Sequence, residues 1–343
     1  KERSQKNGVL AEIISADEMR KREPLINPQV SGALFTPTAG MVDPFAACVA
    51  SVENAIQNGV DVLVETEFIS FLVQGKQITG VHTNRGDFAC RWVINAAGTS
   101  SDQVMHTAGV RPDFNIHPRR GEYYLLDKAE INMEHILFPV PTEVSKGILV
   151  LGSTHGNVLV GPNSHAVENK EDKSVTPAGL NEIWQGAQKL VPSINPRSII
   201  AVFAGLRASG NAPCLAAGID YGYDFVVETA LEVTGLINLA GIESPGLTAA
   251  PAIAERVIAL LADAGEKLVE KKNWNPVRAA RPRFNHLSRA EQAALVAKDP
   301  RYGRIVCRCE MITEGEIVAE IHAPIPARTY DAIKRRTWLG TGR

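Results

Sequence analysis

The sequence predicts an α/β part combined with a mainly antiparallel α+β part and a small unit at the C-terminal end. Two apolar runs that end in small residues, "VINAAG" (93–98) and "INLAGIESPG" (237–246), predict the α/β part, because such runs are typical of buried parallel strands. Short strand-like runs between residues 117 and 233 predict the antiparallel part. The pair Cys307 and Cys309 marks the C-terminal unit.

The composition predicts a globular protein without a transmembrane segment. The 343 residues are enough for two domains, and no apolar run approaches the roughly 18 residues that a membrane helix needs. The five cysteines are odd in number and scattered, which argues against a secreted disulfide framework. We therefore expect a cytoplasmic protein, and peripheral attachment to the inner membrane through a partner stays open.

Basic residues are concentrated toward the C-terminal end. Residues 271–343 hold 15 Lys and Arg against 7 Asp and Glu, whereas the whole chain has a net charge of −2. These basic residues are dispersed and have few aromatic neighbours, so we do not expect nucleic-acid binding. Two alternatives stay open: the segment docks on the acidic remainder, or it neutralises an anionic cofactor.

The first hundred residues predict helices alternating with strands. "SADEMRKREPLI" reads as a helix that Ser15 caps and Pro24 ends. "SGALFTP" predicts a short strand, "DPFAACVASVENAIQNGV" predicts an amphipathic helix with Pro44 in its first turn, and residues 61–98 predict three or four strands.

The middle of the chain predicts an antiparallel sheet with one helix. The strand-like runs are GEYYLLD, HILFPVP, GILVLGS, NVLVGPN and DFVVETA, and the helix is centred on AGLNEIWQGAQKLV. An apolar strand, a Gly/Pro turn and a helix follow in residues 234–265. A basic segment that contains prolines then leads to a new unit from about Tyr302.

The two apolar strand ends are candidates for a cofactor site. Ligands of parallel sheets sit beyond the carboxyl ends of the strands. The second strand turns through Gly241 and Gly246 into a helix, whose first N–H groups, at Leu247 and Thr248, favour negative charge. Ordinary strand–turn–helix packing would produce the same pattern. No G-x-G-x-x-G fingerprint follows any strand of this sequence.

The order of several motifs resembles the FAD-dependent oxidoreductases of the D-amino-acid oxidase superfamily. These motifs are GALFTPTAGMVDP, VINAAGTSSDQV, HPRRGEYYLLD, VLVGPN, FAGLRAS, DFVVE and INLAGIESPGLTAAPAIAE. The resemblance covers residues 8–265 and favours the branch that contains L-2-hydroxyglutarate dehydrogenase and glycerol-3-phosphate dehydrogenase. It implies an FAD-binding, Rossmann-like domain with a mainly antiparallel substrate sheet.

The resemblance also implies roles for particular residues. Arg207, in "AGLRAS", would face the anionic group of the substrate, and Tyr123 and Arg120, in "RRGEYY", would lie in the substrate site. A guanidinium can hold a carboxylate or phosphate with two hydrogen bonds, although a surface ion pair is the alternative for Arg207. The residues implied to contact FAD are Ala96, Ala97, Gly98, Gly241, Gly246, Leu247 and Thr248.

Three histidines are candidates for the base that takes the hydroxyl proton as hydride leaves. His117, His155 and His165 all lie near strand ends of the predicted substrate sheet. His155, in "STHGN", is the preferred catalytic residue. Polar surface is the alternative for each of the three.

Cys307 and Cys309 are candidate metal ligands. In an extended segment residues two apart point the same way, and Arg304 and Arg308 would favour thiolates. Packing is the alternative, and zinc lacks further ligands, with His322 the single nearby candidate. The segment resembles the bacterioferritin-associated-ferredoxin-like [2Fe–2S] domain, in which two more cysteines follow. Because the sequence ends where the third is due, we expect a truncated unit without a stable cluster.

The resemblance sets the expected domains. Residues 1–110 and 234–268 form a partial FAD-binding domain, 111–233 the substrate sheet, 269–300 a basic linker and 301–343 the [2Fe–2S] unit. Family members begin with a βαβ unit that carries the Gly-rich fingerprint, upstream of the position of Lys1. We therefore expect an N-terminally truncated chain that holds FAD weakly and is inactive by itself.

The expected function is that of an FAD-dependent dehydrogenase. Glycerol 3-phosphate, or a 2-hydroxy acid such as L-2-hydroxyglutarate, would pass hydride to flavin N5. The electrons would leave through the [2Fe–2S] centre to an acceptor protein or a quinone-linked subunit. The alternatives are an amine or amino-acid dehydrogenase with the same fold, and a non-catalytic assembly or regulatory protein with a vestigial flavin site.

Overall fold

The computed structural model describes residues 2–141, 147–210 and 224–342. Its first elements are α1 (Glu2–Lys6), β1 (Glu12–Ser15), α2 (Ala16–Arg22), β2 (Gly32–Phe35) and α3 (Pro44–Gln57). Ser15 caps α2, as predicted, by accepting a hydrogen bond from the N–H of Glu18. Asp43 caps α3: its Oδ1 accepts from the N–H groups of Phe45 and Ala46 at 2.9 and 3.0 Å.

Four strands follow, as the sequence predicts, but they belong to two sheets. β3 (Phe68–Gln74), β4 (Gln77–Thr83) and β5 (Gly86–Ala89) form an antiparallel sheet. β6 (Val93–Asn95) lies in a different sheet, beside β13 (Leu236–Ala240).

The pairing of β6 with β13 is parallel, as the two apolar runs predict, with Asn95 opposite Asn238. On the other side of β13 lies β12 (Val226–Thr229), which is antiparallel to it. The run DFVVETA therefore joins this cofactor sheet and not the substrate sheet, contrary to the sequence-based expectation. A short helix, α4 (Ser101–His106), follows β6, and the long helix α6 (Gly246–Asp263) follows β13.

The substrate sheet is antiparallel throughout. Its strands are β7 (Ile116–Leu126), β8 (Leu149–Gly152), β9 (Val158–Gly161), β10 (His165–Ala166) and β11 (Ile199–Gly210). The sequence pattern did not single out β11, which pairs along the whole of β7.

The predicted strand HILFPVP makes a single bridge, between Leu137 and Val150, because Pro139 and Pro141 lack the N–H that a strand ladder needs. The helix α5 (Pro177–Leu190) packs on the sheet through Ile183 and Ala187.

The C-terminal unit contains two short strands and two helices among its described residues. β14 (Ile305–Cys307) and β15 (Ile312–Thr313) precede α8 (Glu314–Ile321) and α9 (Tyr330–Thr337). The predicted linker also contains a helix, α7 (Arg289–Lys298), which Ser288 and Glu291 cap reciprocally. Among the described residues, no helix is long and apolar enough to cross a membrane.

The linker is held to α3 by a buried carboxylate. Glu53 is 4% exposed and accepts hydrogen bonds from Arg278, at 2.7 Å, and from Arg281. Burial raises the pKa of Glu53, but these hydrogen bonds and the two positive charges outweigh it, so the pKa lies below its ordinary value. The basic segment therefore docks on the acidic remainder at this point, as one of the two alternatives proposed.

The two parallel strands are also joined through buried side chains. Asn95 Nδ2 donates to Asn238 Oδ1 at 3.1 Å and to the carbonyl oxygen of Ser101 at 2.9 Å. Both asparagines are at most 3% exposed. This pair holds the start of the segment that contains Ala96, Ala97 and Gly98.

We expect Glu53→Gln to lower the free energy of unfolding by about 2 kcal/mol at pH 7, because Arg278 loses its charged partner and Arg281 keeps the longer contact with Glu320, at 3.5 Å. The lowered pKa of Glu53 makes its contribution complete above the ordinary glutamate value, about 4.3, and lost as the pH falls through the lower folded value. Urea unfolding of both proteins between pH 7 and pH 3 should show the difference shrinking. Glu65→Gln is the matched control, since its pair with Arg328 is exposed and worth less than about 1 kcal/mol.

We expect Asn95→Ala to lower the free energy of unfolding by about 1–3 kcal/mol, because the Oδ1 of Asn238 stays buried without its donor. Urea unfolding of the single variants and of Asn95→Ala/Asn238→Ala measures the coupling. Strictly additive losses would show that the two side chains do not interact.

Candidate functional site

The residues predicted to contact FAD meet at the carboxyl ends of β6 and β13. Ala96 and Ala97 are exposed directly after β6. Gly98 has a φ of +57° and open space around the position of a Cβ. Gly241 follows β13 with a φ of +65°. Adjacent parallel strands thus bring the two predicted groups to one edge of the sheet, where cofactors of α/β folds bind.

The start of α6 suits a group with negative charge. No side chain caps this helix in the described part of the chain, so the N–H groups of Leu247 and Thr248 lack a side-chain acceptor there. Both residues are exposed, and a helix start with free N–H groups attracts anions. Gly246, Leu247 and Thr248 therefore fit the pyrimidine edge or a phosphate of FAD.

The substrate sheet reaches this edge through two glycines. A Cβ at Gly210, the last residue of β11, would lie 3.1 Å from the Cα of Gly241. One residue earlier, Ser209 Oγ donates to Glu243 Oε2 at 2.6 Å. The end of β11 is therefore fixed to the turn that precedes α6.

One face of β7 and β11 carries the predicted substrate residues Arg207 and Tyr123. Arg207 lies opposite Arg119, and Tyr123 lies opposite Phe203, in the strand ladder. The rings of Tyr123 and Phe203 stack with centroids 5.0 Å apart. Between these pairs Gly205 has open space where a side chain would be. Burial raises the pKa of Tyr123, and the charge of Arg207 opposes this rise.

The two arginines converge on the segment after β9. Arg207 Nη1 and Nη2 both donate to the carbonyl oxygen of Asn163 at 3.2 Å. Arg119 donates to the Oγ and carbonyl oxygen of Ser164, both at 2.9 Å. Neither guanidinium contacts a carboxylate of the described residues. The sequence analysis missed Arg119, since only the register of β7 with β11 places it beside Arg207.

Arg120 lies on the opposite face of β7. It is 8% exposed and donates to Asp172 at 2.7 Å and to Ser174 at 2.8 Å. Successive residues of a strand point to opposite faces, so the structure separates Arg120 from Arg207 and Tyr123.

His155, the predicted base, lies in the turn between β8 and β9. Its Nε2 is 3.3 Å from Asp43 Oδ2, and its ring lies 3.8 Å, centroid to centroid, from Trp338 of the C-terminal unit. Burial lowers the pKa of His155 below its ordinary value, although the hydrogen bond and the charge of Asp43 oppose this effect. Its catalytic role stays a prediction. His165 is exposed and contacts Glu182, and His117 is exposed.

Cys307 and Cys309 point to one place, as predicted, but through a turn that follows β14 rather than an extended segment. Their sulfurs are 3.3 Å apart. Burial raises the pKa of Cys307, but N–H groups of Gly340 and Glu310 lower it below its ordinary value. The described residues contain no group of three or more metal-ligating side chains. Two thiols this close could supply two of the four ligands of a [2Fe–2S] cluster.

One cavity of the described residues lies elsewhere. It measures about 660 Å³ and is lined by Arg91, Gly235 and Glu266, near the amino ends of β6 and β13. Ligands of parallel sheets bind at the other edge, so this cavity is not part of the candidate site.

Comparison with known proteins supports both cofactor assignments. Residues 1–260 match the family described as DAO, FAD dependent oxidoreductase. Residues 305–342 match the BFD-like [2Fe–2S] binding domain.

Three relatives illustrate the similarity. A glycerol 3-phosphate dehydrogenase of Caloramator mitchellensis is 39% identical over 96% of this chain and 67% of its own length. An L-2-hydroxyglutarate dehydrogenase of Escherichia coli is 29% identical over 48% of this chain and 39% of its own. The FAD-bound structure of the L-α-glycerophosphate oxidase of Mycoplasma pneumoniae, in its dithionite-reduced form, is 31% identical with a TM-score of 0.68, covering 77% of this chain and 67% of that one.

These matches confirm the predicted fold, which combines an FAD-binding domain with an antiparallel sheet and a small iron–sulfur unit at the C-terminal end. The matches assign FAD as the cofactor of this protein and a [2Fe–2S] centre to its C-terminal unit. The chain belongs to the DAO family of FAD-dependent oxidoreductases.

Proposed function

We propose that this flavoenzyme is a dehydrogenase that oxidises the secondary alcohol of glycerol 3-phosphate. The observation that carries the proposal is the pair Arg119 and Arg207, which lie opposite each other in the β7–β11 ladder. Relatives named glycerol 3-phosphate dehydrogenase and glycerol 3-phosphate oxidase support it.

The charge of the arginine pair favours a phosphate over a single carboxylate. Among the described residues, the two guanidiniums bind neutral oxygens of Asn163 and Ser164, which leaves two positive charges at one place. A phosphate monoester carries two negative charges on one group, and its oxygens accept paired hydrogen bonds from guanidiniums. Lactate has one charge, and 2-hydroxyglutarate has its two charges at opposite ends.

The residues of this face would orient the substrate toward the cofactor turn. The arginines would hold the phosphate, and the carbon skeleton would lie along the open surface over Gly205. The stacked rings of Tyr123 and Phe203 border this surface and exclude water. We leave Arg120 out of the substrate site, because its guanidinium is bound to Asp172 on the other face. FAD, when bound, accepts the hydride.

An amine substrate is the second candidate. The stacked aromatic pair Tyr123 and Phe203 favours it, because aromatic faces attract cations. Arg119 and Arg207 disfavour it, since a protonated amine would meet two positive charges.

We further propose that electrons leave through the C-terminal unit to an acceptor protein or a quinone-linked subunit. Cys307 and Cys309 would hold an iron–sulfur centre together with further ligands outside the described residues. Arg308 lies between the two cysteines in the sequence and adds positive charge, which stabilises thiolates, whereas Arg304 pairs with Glu314.

We expect Arg207→Lys and Arg119→Lys to lower kcat/KM for glycerol 3-phosphate about 10- to 100-fold each, because an ammonium cannot make the paired contacts of a guanidinium. Flavin bleaching in the FAD-loaded protein, measured without oxygen against substrate concentration, reports the effect. Arg111→Lys is the control, since Arg111 is exposed and lies outside this face.

The same assay separates the candidate substrates. Glycerol 3-phosphate should bleach the flavin faster than L-2-hydroxyglutarate, lactate or proline. Faster bleaching by proline, with wild-type bleaching rates in both lysine variants, would instead indicate that the protein oxidises an amine.

A further inference from the structure

The C-terminal unit contacts the remainder of the protein next to its two cysteines. Glu310 follows Cys309, is 4% exposed and accepts a hydrogen bond from Lys128 Nζ at 2.8 Å. The same ammonium donates to the carbonyl oxygen of His155 at 3.4 Å. The segment that carries the thiols therefore lies against the turn between β8 and β9.

Asp43 connects three parts of the protein. Its Oδ1 caps α3, and its Oδ2 accepts from Trp338 Nε1 at 3.1 Å and lies 3.3 Å from His155 Nε2. Burial raises the pKa of Asp43, but the hydrogen bonds from Ala46, Trp338 and His155 outweigh it, and the pKa lies below its ordinary value. One charged group thus joins the cofactor part, the substrate sheet and the C-terminal unit.

Trp338 ends α9 in a backbone conformation that bulky residues rarely adopt. Its φ is +68°, and its N–H donates to the carbonyl oxygen of Lys334 at 2.7 Å, at a position that helices usually fill with glycine. Such a conformation persists where the surroundings compensate for it. The contacts of the indole with Asp43 and His155 supply that compensation.

Trp338 also begins the segment that covers the thiols. Gly340 N–H lies 3.5 Å from Cys307 Sγ, and a Cβ at Gly342 would lie 2.9 Å from Cys309 Sγ. Because only Leu339 separates Trp338 from Gly340, a shift of the indole would displace this cover.

We propose that Asp43, His155 and Trp338 form an interdomain clamp. Trp338 is a positioning residue that keeps the segment 339–342 over Cys307 and Cys309. The clamp fixes where an iron–sulfur centre would sit relative to the flavin domain. Its relevance for electron export rests on the proposed function, but the clamp itself does not.

The test removes single contacts and measures the access of reagent to Cys307 in the full chain. Trp338→Phe keeps an aromatic ring and removes the indole N–H. Asp43→Asn keeps a residue that caps helices and removes the charge. We expect iodoacetamide to alkylate Cys307 about tenfold faster in each variant than in the wild type, because each variant loses a hydrogen bond to a charged acceptor. Peptide mass spectrometry measures the alkylation rate.

Trp274→Phe is the matched control, because Trp274 is 53% exposed and lies in the linker; its alkylation rate should equal that of the wild type. Wild-type rates in both Trp338→Phe and Asp43→Asn, with unchanged circular dichroism, would overturn the clamp.

A second measurement needs no stable variant at the clamp. In the wild-type protein, the indole Nε1 proton of Trp338 should exchange with solvent at least about tenfold more slowly than that of Trp274, as followed by NMR. Equal exchange rates would also overturn the clamp. Neither experiment uses substrate or flavin, so a failed substrate test leaves the outcome for the clamp unaffected.

Discussion

The end of β11 touches the turn that follows β13, and this contact determines how the two halves of the site face each other. Gly210 and Gly241 approach so closely that little room is left for a side chain: a Cβ at either residue would lie 3.1 to 3.4 Å from the Cα of the other. The arginine pair lies on the same strands, Arg207 only three residues before Gly210. Its position relative to the cofactor turn therefore depends on a hydrogen-bonded ladder and not on a loop.

Strand alternation gives neighbouring residues of β7 different roles. Arg120 and Glu122 face the interior side, where Arg120 binds Asp172 and Glu122 binds Asn163 and Thr176. Arg119 faces the other way, beside Arg207, and keeps its charge uncompensated by the described carboxylates. The strand alternation therefore separates the partnered, buried side chains of Arg120 and Glu122 from the half-buried arginine pair.

Two acidic residues hold the linker and the C-terminal unit against the remainder of the protein. Glu53 binds the linker arginines, and Asp43 binds Trp338. Asp43 caps the start of α3 and Glu53 lies within this helix. One helix therefore positions both the linker and the cysteine-containing unit. Three basic residues of the C-terminal end therefore serve docking on the remainder: Arg278 and Arg281 bind Glu53, and Arg328 binds Glu65.

The sequence by itself determined the class of fold, the two cofactors and most single elements. Caps such as Ser15, apolar runs such as 93–98 and the C-x-C pair act over a few neighbouring residues, so they can be read locally. The tertiary structure decided which strands pair. In the structure β12 lies in the cofactor sheet, and Arg119 lies beside Arg207. His155 contacts Trp338, which is 183 residues away in the sequence. Register and docking depend on the packing of distant segments, and no local pattern encodes that packing.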